Sequence, residues 1–180
     1  RRQRQMCIRD RFGCADDNGR RKAEQQKTIV VTDSVGRKVE LPYPLERVAV
    51  CNVYNAELIT AVGAIDKIVG VDNYIFKDQS GFKNRFNEAQ VFGISQNAMN
   101  YEKLAELAPQ AVIITGEGTW RDAQEMLDRF GIKVIVINSY YTDQFADNCR
   151  LIGRIFGREE QAEELVNYFN DKLAYIQKQL

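Results

Sequence analysis

The chain has 180 residues, 44% of them hydrophobic, with 25 basic and 25 acidic side chains and no histidine. This length and hydrophobic content suit one packed domain and argue against global disorder, and no apolar run approaches the roughly 18 residues that a membrane span needs. The lack of histidine excludes Ser-His-Asp and Cys-His catalysis, imidazole metal ligands and a histidine pH switch.

The first 27 residues differ from the rest in charge. Residues 1–22 carry eight basic and three acidic side chains, whereas residues 23–180 carry 17 basic and 22 acidic side chains. The body is therefore mildly acidic, which argues against nucleic acid as a partner. We expect residues 1–27 to be a disordered and partly non-native leader or tether, and we leave them out of the fold prediction.

Cys14 follows a small residue and precedes the polar stretch 15–19. This arrangement resembles the processing site of a bacterial lipoprotein, which implies a lipid anchor on Cys14. The apolar segment of a signal peptide does not precede it, because residues 9–11 are Arg-Asp-Arg, and residues 2–11 resemble a translated sequencing-adapter fragment. Lipidation of Cys14 and an ordinary cysteine in a disordered tail both stay open.

From residue 28 the pattern predicts strands and then strand–helix alternation. The segment 28–41 predicts two short strands joined by a turn. Four later apolar segments are typical of buried strands, at residues 48–51, 67–71, 111–115 and 133–137. Continuous apolar strands separated by amphipathic helices indicate a parallel sheet covered on both faces.

Four helices are predicted between and after these strands. Asn55 and Asn100 are expected to cap the first two, and the others occupy residues 119–130 and 145–156. The segment 72–98 is long and irregular, and so long a loop is often functional.

These patterns predict one doubly wound, Rossmann-like α/β domain over residues 28–157 with right-handed crossovers. Residues 158–180 then predict the start of a long amphipathic helix without a stop signal. Its apolar stripe is Ala162, Leu165, Val166, Phe169, Leu173, Ile176 and Leu180. A long uncapped helix leaving a finished domain suggests that a second lobe is missing.

Aromatic residues are concentrated where a ligand is expected to bind. Open parallel sheets bind ligands beyond the carboxyl ends of their strands. The loops at that edge carry six aromatic residues, Tyr54, Tyr74, Phe76, Trp120, Tyr140 and Tyr141. Such rings suit a bulky, partly apolar ligand, and packing of Trp120 and one or two tyrosines beneath the loops is the alternative. The charge is mixed, since Lys77 and Arg121 favour an anion whereas Asp72 and Glu117 oppose it.

Motifs for catalysis, cofactors and metals are weak or lacking. Gly116-Glu117-Gly118 begins like a dinucleotide loop, but Arg121 stands where the third glycine belongs. The cysteines form no metal-binding spacing. Cys51 and Cys149 are predicted to be core residues, and a disulfide between them stays open.

Four stretches in order carry a family resemblance. They lie at residues 32–50, 61–71, 100–114 (NYEKLAELAPQAVII) and 151–165. Together they resemble the substrate-binding proteins of ABC importers for ferric siderophores, haem and cobalamin. The resemblance implies two α/β lobes joined by a rigid helix, with ligand in the cleft between them, an extracytoplasmic location and a lipid anchor. This chain would then be the N-terminal lobe and the start of the inter-lobe helix.

The resemblance also implies roles for individual residues. Glu102 matches an acidic residue that docks against arginines of the membrane permease. Ligand contacts come from the loops at the sheet edge, which makes the candidates Tyr54, Tyr74, Trp120, Arg121, Tyr140 and Tyr141. We expect a non-enzymatic module that hands a ferric siderophore, or else cobalamin or haem, to an ABC permease. The alternatives are a nucleotide-binding enzyme fragment and, third, a sensor lobe.

Overall fold

The computed structural model describes residues 27–78 and 80–179, and Cys7 and Cys14 lie outside this part of the chain. The strands are β1 (Thr28–Thr32), β2 (Lys38–Pro42), β3 (Val48–Val50), β4 (Ile68–Val71), β5 (Ala111–Ile114) and β6 (Lys133–Val136). The helices are α1 (Val53–Ala61), α2 (Asn73–Lys77), α3 (Tyr101–Leu107), α4 (Trp120–Asp128), α5 (Phe145–Phe156) and α6 (Glu159–Gln177).

A four-stranded parallel sheet with the order β4-β3-β5-β6 forms the centre of the molecule. β4 lies on one side of β3, and the chain later returns to place β5 on the other side of β3. The loops after β3 and β5 therefore diverge and leave a crevice at the carboxyl ends of these strands. The predicted doubly wound α/β class is confirmed.

Helices cover both faces of the sheet and create two apolar clusters. Ile59 of α1 and Ile152 of α5 belong to the cluster on one face, together with the start of α6. Leu104 of α3 and Leu127 of α4 belong to the cluster on the other face. Each such fully buried side chain stabilises the fold by roughly 1.5–3 kcal/mol. Burial on both faces explains why the strands contain continuous apolar residues instead of an alternating pattern.

Strands β1 and β2 form a separate antiparallel hairpin that docks beside β6. The buried carboxylate of Asp33 accepts hydrogen bonds from Arg37 Nη2 (2.7 Å) and from the Val136 N–H (3.3 Å). The Ser34 N–H donates to the Val136 carbonyl at 2.9 Å. The guanidinium of Arg37 also stacks on Trp120, with 4.3 Å to the ring centroid. The hairpin is thus tied to the sheet by both backbone and side chains.

Three local predictions need correction. The cap of α1 is Asn52, whose Oδ1 accepts from the Tyr54 N–H, and not Asn55. Asn55 is buried inside the helix, where it donates to the Cys51 carbonyl and accepts from the Ser139 hydroxyl. The segment 72–98 is not wholly irregular, because it contains α2. The helix predicted over residues 119–130 ends at Asp128, so that Phe130 lies beyond it and is 48% exposed.

Helix α6 packs only its first half against the domain. Ala162 and Val166 are buried against α5, whereas Leu173 and Ile176 are 42% and 53% exposed. The packed and exposed residues lie on the same apolar stripe, so the stripe of α6 continues past the part that packs against the domain. The boundaries predicted at residues 27/28 and 157/158 stay predictions. Within the described residues, no helix has the length and apolar character required for a membrane span.

Candidate functional site

A cleft of about 560 Å³ opens at the crevice between the diverging loops. Asn52 follows β3, Asp72 follows β4 and Thr115 follows β5, so three adjacent strands each deliver a lining residue at their carboxyl ends. The other lining residues are Val53, Tyr54, Glu57, Tyr74, Ser95, Gln96, Asn97 and Glu117. The cleft therefore lies where doubly wound folds bind their ligands.

Asp72 forms part of the cleft lining and is almost fully buried. Its carboxylate accepts hydrogen bonds from the N–H groups of Asn52 (3.0 Å) and Ile75 (2.9 Å). Burial raises the pKa of Asp72 above its usual value, and these backbone hydrogen bonds oppose the shift. Asp72 thereby caps α2 and joins the loop after β4 to the loop after β3. Its oxygens are partly occupied before any ligand arrives.

A loop from the long segment 72–98 forms another wall of the cleft. Gln96 Oε1 accepts hydrogen bonds from the Thr115 N–H (3.0 Å) and hydroxyl (2.7 Å), and Gln96 Nε2 donates to the Glu117 carbonyl. The Thr119 hydroxyl donates to Asn97 Oδ1 at 3.1 Å. Sequence reasoning did not select Ser95, Gln96 and Asn97, because only the length of the segment indicated a role.

Two of the predicted aromatic residues lie directly on the cleft. Tyr54 and Tyr74 line it and are 55% and 63% exposed, so both side chains are accessible to a ligand. Tyr54 also lines a neighbouring apolar cavity of about 230 Å³ beside Leu58, Phe145 and Leu165. Tyr54 lies in the first turn of α1 and Tyr74 in the first turn of α2, and not in the loops where the sequence placed them.

Tyr140 and Tyr141 reach the same edge of the sheet from the loop after β6. Their ring centroids are 4.3 Å apart, and the Tyr140 hydroxyl donates to Glu117 Oε1 at 3.2 Å. Desolvation raises the pKa of Tyr140 well above its usual value, and its contacts with Tyr141 and Glu117 add to the shift. Neither tyrosine lines the cleft itself, but Tyr140 contacts a residue that does.

Trp120 and Arg121 have a different environment from the tyrosines. Trp120 is only 9% exposed and packs into the apolar cluster beneath α4. Its ring lies between two guanidinium groups, with Arg37 at 4.3 Å and Arg121 at 4.1 Å from the ring centroid. Neither Trp120 nor Arg121 is among the residues that line the cleft. The role of these two residues as ligand contacts stays a prediction.

The cleft is acidic. Glu57, Asp72 and Glu117 contribute three carboxyl groups, and none of the described residues that line the cleft is Lys or Arg. Lys77 lies instead on a separate cavity beside Lys103. In residues 27–78 and 80–179, no group of three or more His, Cys, Asp or Glu side chains could hold a metal ion.

The two described cysteines are free and lie on opposite faces of the sheet. Burial raises the pKa of Cys51 well above its usual value, and the nearby carboxylate of Asp72 adds to the shift. Burial also raises the pKa of Cys149, to about 11. Because the sheet separates them, the disulfide that the sequence left open does not form.

Glu102 is exposed in the first turn of α3, where the Asn100 side chain accepts from the Lys103 N–H. Arg47, which precedes β3, donates to the Leu107 carbonyl at 2.6 Å. The end of α3 therefore lies at the amino ends of the strands, and its start, with Glu102, is directed toward the carboxyl ends. This geometry puts Glu102 on the outer surface, toward the end of the domain that carries the cleft.

A parallel sheet with a polar cleft at its crossover crevice defines a ligand-binding α/β lobe. The chain belongs to the periplasmic binding protein family, whose model matches residues 48–180. Membership confirms the resemblance noted in the sequence and places the protein outside the cytoplasm. No curated protein sequence matches the chain.

Solved structures share this fold over about half of their own chains. A periplasmic solute binding protein from Veillonella parvula is 28% identical, with a TM-score of 0.69 over 84% of this chain and 48% of that one. Staphylococcus aureus SirA, solved with staphyloferrin B, is 21% identical, with a TM-score of 0.68 over 84% of this chain and 50% of SirA. Haemophilus influenzae MolA, solved with molybdate, is 23% identical, with a TM-score of 0.68 over 81% of this chain and 52% of MolA. This chain spans about half the length of these proteins.

Proposed function

We propose that the protein is the substrate-binding component of an ABC importer and that it delivers a bulky metal chelate, foremost a ferric siderophore, to a membrane permease. The observation that carries the proposal is the cleft of about 560 Å³ at the crossover crevice of a periplasmic binding protein lobe. The proposal assigns binding and no catalysis to the site. A nucleotide-binding enzyme is not favoured, because the family that matches is one of binding proteins.

The shape and lining of the cleft support a chelate as ligand. Its volume falls in the range of about 300–1,000 Å³ that is typical of small-molecule sites. Tyr54 and Tyr74 provide flat faces for an organic chelator, and Tyr140 and Tyr141 extend that surface through Glu117. SirA, which shares the fold, was solved with staphyloferrin B. Cobalamin and haem are the next candidates in size and flatness.

Equilibrium binding tests the proposal. The complete product of the gene is titrated with ferric siderophores, cobalamin, haem and ATP, and quenching of Trp120 fluorescence reports binding. We expect at least one chelate to bind and ATP to have no effect. Replacing Tyr140 and Tyr141 together by alanine should weaken chelate binding by a few kcal/mol at most, as for other aromatic contacts. Tight ATP binding without a response to any chelate would favour the enzyme alternative.

We also propose that Glu102 docks the protein onto its permease. The carboxylate is exposed at the start of α3, where the partial positive charge of the helix end also favours an acidic residue. Glu102→Ala should therefore reduce uptake while leaving ligand affinity unchanged. Glu125→Ala, at an exposed glutamate of α4, is the matched control. A loss of affinity in Glu102→Ala would contradict the docking role.

A lipid anchor on Cys14 is part of the same proposal, since an importer needs its binding protein held near the membrane. Cys14 lies outside the described residues, so the support comes from its sequence context alone. Metabolic labelling with a fatty acid in cells that carry the native upstream sequence should mark the protein, and Cys14→Ser should abolish the label. Labelling that survives Cys14→Ser would exclude this cysteine as the site.

A further inference from the structure

We infer that the cleft selects a ligand that carries positive charge on the side facing this lobe: a ferric chelate with a protonated amine, not a polyanionic carboxylate or catecholate chelate. This inference rests on the proposed function and specifies its ligand class. The cleft itself is defined by the sheet topology. Its charge is a separate observation that decides between chelates of similar size and opposite sign.

Among the described residues that line the cleft, the acidic side chains have no Lys or Arg beside them. Glu57, Asp72 and Glu117 all line it. The ion pairs that Arg37, Lys67, Lys103 and Arg150 form are with other carboxylates. Glu57 is exposed, and the Glu117 carboxylate accepts a hydrogen bond from a neutral hydroxyl, that of Tyr140. Two carboxylates therefore remain available to a cation in the cleft.

Two described basic residues, Arg121 and Lys77, lie outside the cleft lining. The guanidinium of Arg121 stacks on Trp120, 4.1 Å from its centroid, on the face of the sheet covered by α4. Lys77 lines a different cavity. The only charged side chains among the described lining residues are therefore acidic. A chelate with three negative charges would lose water and meet carboxylates in return, which disfavours it.

The remaining lining groups also suit a cation. The ring faces of Tyr54 and Tyr74 carry the negative part of the ring quadrupole and attract ammonium groups. Asn52, Ser95 and Asn97 add side-chain oxygens that can accept hydrogen bonds from such a group. Charge, ring faces and acceptors thus favour the same kind of ligand. A hydroxamate chelator with an amine tail has this chemistry, because its ferric complex is neutral at the metal and positive at the tail.

Three ferric chelates of different charge test the inference on the complete product of the gene. Ferrioxamine B carries one positive charge, its N-acetylated form is neutral at nearly the same size, and ferric enterobactin carries three negative charges. We expect affinity to fall in that order. Removing the amine charge should weaken binding by up to about fivefold for each exposed ion pair that is lost. Raising the salt concentration should reduce the difference.

Variants then show whether this lobe causes the preference. Glu57→Gln and Glu117→Gln keep the shape of the side chain and, at Glu117, an oxygen that can accept from Tyr140. Each should bring the affinities of ferrioxamine B and its acetylated form closer together, whereas Glu125→Gln on α4 should not. Tightest binding of ferric enterobactin, or an affinity ratio unchanged in both cleft variants, overturns the inference and leaves the proposed function standing. If no chelate of any charge binds, both the inference and the proposed function are wrong.

Discussion

Gly153 lies where α5 and α6 approach most closely, and replacing it by alanine tests how the long helix is held. A Cβ atom at this position would lie 2.5 Å from the Ala162 Cβ and 2.9 Å from the Arg158 carbonyl oxygen. Carbon atoms in contact are normally about 3.5–4.0 Å apart, so the helices would have to separate by about 1 Å. Neither neighbouring atom can move away by a change of rotamer.

The expected cost follows from two opposing effects. Overpacking in a filled core costs about 1–3 kcal/mol, and the rigid neighbours of Gly153 favour the upper end of that range. Alanine in place of glycine inside a helix gains about 1 kcal/mol in helix propensity. Gly153→Ala should therefore lower the free energy of unfolding by about 2 kcal/mol. It should also change how α6 leaves the domain, because Ala162 and Val166 hold the packed half of that helix.

Urea denaturation followed by circular dichroism measures the change. Arg154→Ala, on the exposed side of the same helix, is the matched control and should change stability by less than about 0.5 kcal/mol. Ala162→Gly should partly rescue Gly153→Ala, with a coupling energy of about 1 kcal/mol in the double-mutant cycle. If Gly153→Ala instead stabilises the protein by about 1 kcal/mol, only helix propensity is acting and the close packing of α5 on α6 is refuted.

Three further predictions follow from the buried and paired groups. Cys51 and Cys149 should resist alkylation in the native protein at pH 8 and react after unfolding, because burial raises the pKa of both thiols. Peptide mass spectrometry measures the labelling of each site. Fast labelling of the native protein would contradict their burial. Arg150 lies 2.6 Å from Glu163 and lowers the pKa of that carboxyl. The pair therefore stabilises the fold above the usual glutamate pKa and loses this effect as pH falls. Arg150→Ala should make the free energy of unfolding less dependent on pH in the acid range. The raised pKa of Asp72 has the opposite effect on stability. Above about pH 4 the native state binds more protons than the unfolded state, so the free energy of unfolding falls as pH rises through that window. Asp72→Asn should remove this dependence on pH, and an unchanged dependence would refute the pKa shift.

The strands and most helices could be predicted because their signals are local. A short run of buried apolar residues between polar turns identifies β5 and β6, and the stripe of α5 gives its bounds, Phe145–Phe156. The cap of α1 was misassigned because Asn52 and Asn55 both precede apolar residues. Asn52 adopts a φ of 77°, a left-handed conformation that asparagine tolerates better than most residues. Only the fold shows that Asn55 is needed inside the helix to bond Ser139.

The cleft was harder to predict than the fold, because its walls come from distant segments. The rule for parallel sheets located Tyr54 and Tyr74 from the strand ends alone. No local pattern showed that Gln96 would bridge to Thr115 and Glu117, since that contact depends on the path of an irregular segment. The mixed charge of the loops was visible in the sequence, but the separation of Arg121 from the cleft depends on its stacking with Trp120.

A network of buried amides connects the loops at the edge of the sheet to the helix pair that carries α6. Asn148 of α5 donates to the Asn138 carbonyl at 3.0 Å and accepts from the Ser34 hydroxyl at 3.2 Å. Asn138 Oδ1 in turn accepts from the Gly116 N–H at 2.7 Å. Because these groups already satisfy one another, the loops after β5 and β6 need little ordering when a ligand binds, which lowers the entropy cost of binding. The same bonds fix the position of the cleft wall relative to α5. A change in the packing of α6 on α5 therefore changes the direction of α6, while the cleft wall stays rigid.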